Sequence, residues 1–100
     1  EKVSAQKNGI LLVFSEYYDG EAKNVSFVSH FVSKRIVATH SGCGHVFQMC
    51  NSSLAYFATK YLYIHDTTIT GHDNNSLTGT AASGIKYTNN RFVLRYVIGV

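Results

Sequence analysis

The stretch that decides the fold runs from Gly9 to Ser33, GILLVFSEYYDGEAKNVSFVSHFVS. It divides at Asp19-Gly20, the strongest turn signal in the chain, because both residues tolerate the positive φ that a tight hairpin requires. In the first arm Ile10, Leu12 and Phe14 share one face, and Leu11, Val13, Ser15 and Tyr17 share the other. Both faces start apolar, so the first half of this strand is expected to be buried on both sides. A two-residue loop places Glu16 opposite Lys23, Phe14 opposite Val25 and Leu12 opposite Phe27, which pairs opposite charges and apolar side chains. The second arm is predicted to run from about Asn24 to Ser33.

Outward from this hairpin, Arg35 to Thr39 reads as a third strand, ended by the turn-like His40-Ser41-Gly42-Cys43-Gly44, and His45 to Cys50 as a fourth. Leu54 to Ile64 reads two ways. Leu54, Phe57, Ala58 and Tyr61 have helical spacing behind a Ser52 or Ser53 cap, which leaves a short helix over 53–60 open, whereas Tyr61-Leu62-Tyr63-Ile64 is β-prone. Residues 65–90 are polar, with Ile69-Thr70-Gly71 and Leu77-Thr78-Gly79 as short strands around an Asn-rich turn, and Asn89-Asn90 as another turn. Arg91 to Gly99 is the last strand, with Phe92, Leu94 and Tyr96 on one face and Val93, Arg95 and Val97 on the other. Residues 1–8 read as a polar arm. About seven short strands at such intervals predict a mainly β, antiparallel sandwich or small barrel, a single domain over 1–100. Proline is absent, so it cannot blunt an edge strand, and oligomerisation through strand edges stays open.

Composition agrees. Val, Ile, Thr, Tyr and Phe supply 37 residues against seven Ala and one Met, which disfavours a helical bundle or coiled coil. No apolar run approaches the 18 or so residues of a membrane span. The net charge of +3 is scattered, and Lys34-Arg35 is the only adjacent basic pair, unlike the basic stripe of a nucleic-acid binder.

Cys43 and Cys50 are the only cysteines, and an even count in a small chain predicts a disulfide between them, worth about 2.5 kcal/mol for so short a loop. Three glycosylation sequons begin at Asn24, Asn51 and Asn74. Together with the absence of a signal peptide these features predict a mature secreted or extracellular glycoprotein.

Candidate chemistry is sparse. His40, Cys43, His45 and Cys50 have ligand types suited to zinc, but they crowd into eleven residues, so a disulfide flanked by histidines is preferred and no metal or cofactor is expected. The steps His65-Asp66 and His72-Asp73 read as polar turn residues, since neighbours on a strand face opposite ways. An enzymatic alternative is a small ribonuclease-like hydrolase with Glu16 or a histidine as base, another histidine as acid, and Arg35, Arg91 or Arg95 holding phosphate. The reading preferred is a non-enzymatic binding module of toxin, effector or inhibitor type, with a receptor, glycan or other protein as partner and nucleic acid only in the alternative. Its contact residues are expected among Tyr17, Tyr18, Tyr56 and Tyr63, because tyrosine offers large contact area at low entropic cost. Tyr61 is a further candidate for base stacking in the alternative.

Overall fold

A computed structural model describes all residues, 1–100. The chain forms nine strands and one short helix, in a mainly β antiparallel fold. β1 (Gly9–Tyr18) turns at Asp19-Gly20 into β2 (Glu21–Ala22), and after a loop β3 (Val28–Ser33) returns along β1. Helix α1 (Lys34–Thr39) leads to β4 (Gly44–Cys50), β5 (Phe57–Ile64) and β6 (Ile69–Gly71). A ribbon of β7 (Thr78–Thr80) and β8 (Lys86–Thr88) precedes the last strand, β9 (Phe92–Gly99), which pairs with β1. One sheet thus has the order β9-β1-β3, with β2 on the far end of β1, and the other β4-β5-β6. No helix is long and apolar enough to cross a membrane.

The two sheets share one core. Ile10, Leu12, Phe14, Val32 and Phe92 come from the first, and Phe47, Met49, Ala58, Leu62 and Ile64 from the second. Phe14 meets Phe47 with ring centroids 5.8 Å apart. On the β3–β4 side His30 packs between these rings, and its Nε2 lies 3.1 Å from the Gln48 carbonyl. Val37 of α1 and Val3 of an N-terminal 3₁₀ turn cover the ends of this core.

Several expectations are corrected. At the turn the register is the one expected, Tyr17 opposite Ala22 and Tyr18 opposite Glu21, and the Lys23 N–H donates to the Glu16 carbonyl. Beyond it the chain buckles at Ser26, φ 54°, so that Phe14 faces Val28 and Leu12 faces His30 instead of Val25 and Phe27. A slip by an odd number of residues exchanges the two faces of a strand, which leaves Val25 and Phe27 in solvent. Buckling is stabilised by partners distant in sequence. Ser26 Oγ donates to Glu16, and Arg95 donates to Ser15 Oγ, the Lys23 carbonyl and Asn24 Oδ1.

Residues 35–39 form a helix rather than a strand, because Ser33 caps it, its side chain accepting from the Arg35 N–H, and one turn suffices to bury Val37. Leu54 to Ile64 contains no helix over 53–60. A turn held by Asn51 precedes β5, whose Ala58, Lys60, Leu62 and Ile64 point inward. Residues 1–8 are pinned rather than free: Ser4 donates from N–H and Oγ to the Asp66 carboxylate at 2.7 and 2.9 Å. A bulge at Arg95 leaves Leu94 opposite Phe14 but Val97 opposite Leu12, so Val97 turns inward and Tyr96 outward. The outer face of β1 is not covered over its first half: Leu11 and Val13 stay half-buried and Phe31 beside them is 54% exposed.

The expected Cys43–Cys50 disulfide is also corrected. Both thiols are free, and they stand at opposite ends of β4. Seven extended residues span about 20 Å or more, several times the Cα separation a disulfide tolerates.

Candidate binding site

Three of the four tyrosines expected to make contacts come together around Arg91, the residue at the end of the Asn89–Arg91 3₁₀ turn. Tyr17 and Tyr18 stand at the end of β1, aimed by a turn in which Asp19 (φ 55°) and Gly20 (φ 77°) both take left-handed conformations. Tyr56 arrives on the turn after β4. There Asn51 Oδ1 accepts from the N–H groups of Ala55 and Tyr56, and the Asn51 N–H donates to the Tyr56 carbonyl. The Arg91 guanidinium lies between two rings, its carbon 4.0 Å from the Tyr18 centroid and 4.1 Å from that of Tyr56.

Glu16 orients this guanidinium from behind. It is 5% exposed, and its Oε1 accepts from Arg91 Nε at 2.9 Å while Oε2 accepts from Ser26 Oγ at 2.6 Å. The Asn51 side chain also favours the charged form of this carboxylate. Burial pushes the Glu16 pKa up, but the hydrogen bonds from Ser26 and Arg91, the Arg91 charge and the Asn51 side chain outweigh it, so the net shift is downward. The Nε bond is the only hydrogen bond that Arg91's side chain makes, and no buried side-chain nitrogen lacks a partner, so both terminal Nη groups reach solvent. Arg91 also lines a shallow cavity of about 310 Å³ together with Tyr17, Tyr18, Asp19, Tyr56, Thr88 and Asn90.

The remaining candidates lie elsewhere. Tyr63 packs edge-on against Tyr61, 5.1 Å between centroids, and beside His72 on the outer face of the second sheet. No histidine is among the partners of Glu16, so the carboxylate–imidazole couple of the hydrolase reading is not assembled there. Arg95 is committed to the 23–27 loop, and Arg35 lies on exposed α1. His40, Cys43, His45 and Cys50 do not converge: no three of the chain's His, Cys, Asp and Glu side chains group closely enough to share an ion. Asp66 holds Ser4 of the N-terminal segment, while His72 Nδ1 accepts from the Asn74 N–H within its own turn.

The sequons divide as well. Asn74 and Asn24 are exposed, although Asn24 Oδ1 is taken by Arg95. Asn51 is 7% exposed, with its Oδ1 accepting from the Ala55 and Tyr56 N–H groups, and is the least accessible of the three. That Tyr17 and Tyr18 stand beside a tight turn was legible in the sequence; that Tyr56 and Arg91 join them was not. Asn51 and Ser26 were not legible as supports, since each joins Glu16 only after the chain folds back. Comparison with protein-family models, with curated proteins and with solved structures finds no match to this chain.

Proposed function

We propose that the chain is a non-enzymatic, secreted binding module that captures a carboxylate carried by a protein or glycan partner. The observation behind this reading is Arg91: fixed through Nε by Glu16 and clamped between Tyr18 and Tyr56, it presents two unbonded Nη groups to a tyrosine-lined cavity. An end-on carboxylate takes two parallel N–H···O bonds from this edge of a guanidinium, and the usual entropic cost of ordering a long side chain is already met. Glu16 cancels much of the Arg91 charge and Asp19 also lines the cavity, which favours a single negative charge over a doubly charged phosphate.

The test is titration of isotope-labelled protein with a blocked glutamate peptide, its glutamine counterpart, and sialic acid. Shifts confined to Tyr17, Tyr18, Tyr56 and Arg91, larger for glutamate than glutamine and lost in Arg91→Lys, are the expected result. Equal responses to the acid and the amide, or none at about 10 mM ligand, where even a millimolar site is mostly filled, overturn it.

A further inference from the structure

We infer that the free edge of β9 pairs antiparallel with the same edge of a second copy of the chain. β9 is bonded to β1 on one side only. The N–H and carbonyl of Val100 both bond Gly9, so by alternation those of Ile98 also point toward β1, and those of Val97 and Gly99 point away from it. These outward groups have no strand to pair with.

An edge of this kind is normally guarded by lysine, proline or a covering loop. Here it reads Leu94-Arg95-Tyr96-Val97-Ile98-Gly99-Val100, and Val97, Ile98 and Tyr96 are 48%, 45% and 49% exposed. Its one charge, Arg95, is tied back to Ser15, Lys23 and Asn24. Beneath the edge a cleft of about 740 Å³ separates β9 from β6, with Leu94 and Val97 on one wall and Leu62 and Ile69 on the other.

A second copy suits this edge because the edge is self-complementary. A two-fold axis through Val97 pairs the outward N–H and carbonyl of Val97 with their own counterparts. It sets Tyr96 against Ile98 of the other copy on the outer face, and Arg95 against Gly99, so no like charges meet. Seven residues per copy bury roughly 400–500 Å² a side, about half of a standard stable interface. The dimer is therefore weak and concentration-dependent.

The experiment is sedimentation equilibrium from about 10 μM to 1 mM, the range in which an interface of this size is partly filled, with amide hydrogen exchange on the same samples. Association is expected within that range, with exchange at Val97 and Gly99 slowing at least tenfold as dimer forms. Val97→Pro removes the outward N–H without touching a bond to β1, and is expected to remain monomeric with an unchanged circular dichroism spectrum. Should it not fold, the double variant Tyr96→Lys, Ile98→Lys, which sets lysines against each other across the axis, decides the matter by the same readout. Three results overturn the proposal. They are a monomer at 1 mM, a dimer whose Val97 and Gly99 amides exchange as fast as in the monomer, and protection of those amides at every concentration, which would mean a strand of the same chain occupies the edge.

Discussion

Both sheets leave apolar side chains on their outer faces, Val46 and Phe57 on β4-β5-β6 and Phe31 on β9-β1-β3, at 59%, 43% and 54% exposure. Their edges are where they differ. Where β6 ends, the backbone of β5 is closed by side chains: Asn75 Oδ1 accepts from the Tyr61 N–H at 2.6 Å, its Nδ2 donates to the Tyr61 carbonyl at 3.0 Å, and Asn89 Oδ1 accepts from the Thr59 N–H. An asparagine amide has the donor and acceptor of a peptide group, so two of them stand in for a missing strand. β9 has no such substitute. The contrast teaches that the polar stretch 65–90 supplies the side chains that close the β5 edge, whereas the fold supplies none for the β9 edge.

The largest effect should come from opening the closed edge. Asn75→Ala leaves both Tyr61 backbone groups without partners in a half-buried setting, at a cost of about 2–3 kcal/mol. That corresponds to a fall in Tm on the order of 10 °C for a domain of this size. Asn75→Asp keeps the acceptor and loses the donor, and should fall between, as differential scanning calorimetry would report. A matching effect from Asn24→Ala, far from that edge, would break the comparison.

Removing the Glu16 carboxylate is next. Glu16→Gln should cost about 2 kcal/mol, less than a fully buried pair because the Arg91 tip reaches water. The folded-state pKa of Glu16 lies below its ordinary 4.5. Its contribution is therefore complete above pH 4.5 and lost as the pH falls through the lower folded value. Urea titrations between pH 3 and 6 should show wild type losing stability toward acid more steeply than Glu16→Gln. Parallel curves would remove Glu16 from the account.

A smaller effect belongs to Lys60. It is 8% exposed on the inner face of β5, donating to the carbonyls of Asn75 and Asn89, each at 2.6 Å, and burial draws its pKa from 10.5 down to about 8. Between these values the unfolded chain holds more protons, so stability should rise with pH from about 8 to 10.5. Lys60→Met should flatten that rise by on the order of 1 kcal/mol, since the two carbonyl bonds offset part of the desolvation. An unchanged slope would show that the rise comes from other groups.

The smallest effect is expected at Cys43, exposed and unbonded. Cys43→Ser should change stability by under about 0.5 kcal/mol. Both thiols should alkylate without reductant in the folded protein, Cys43 faster than the half-buried Cys50. A loss near 2.5 kcal/mol, the value of a closed short loop, would mean that the two ends of β4 come together after all.

What the sequence determined by itself is the local part. Alternation in Gly9–Tyr18 and Phe92–Gly99 specifies strands, Asp19-Gly20 specifies the tight turn, and the excess of β-branched and aromatic residues specifies a mainly β chain, because steric preference acts within a few residues. The position of Tyr17 and Tyr18 beside that turn was readable for the same reason. Tertiary structure alone decided the register beyond Lys23, where Ser26 and Asn24 answer to Glu16 and Arg95 across the fold. It also decided that 34–39 coils, that Arg95 bulges, that the cysteines part, and that Asn51 turns inward. The register beyond Lys23 depends on partners far away along the chain, and the 34–39 helix and the Asn51 turn on local bonds that compete with strand only once the fold buries Val37 and Asn51.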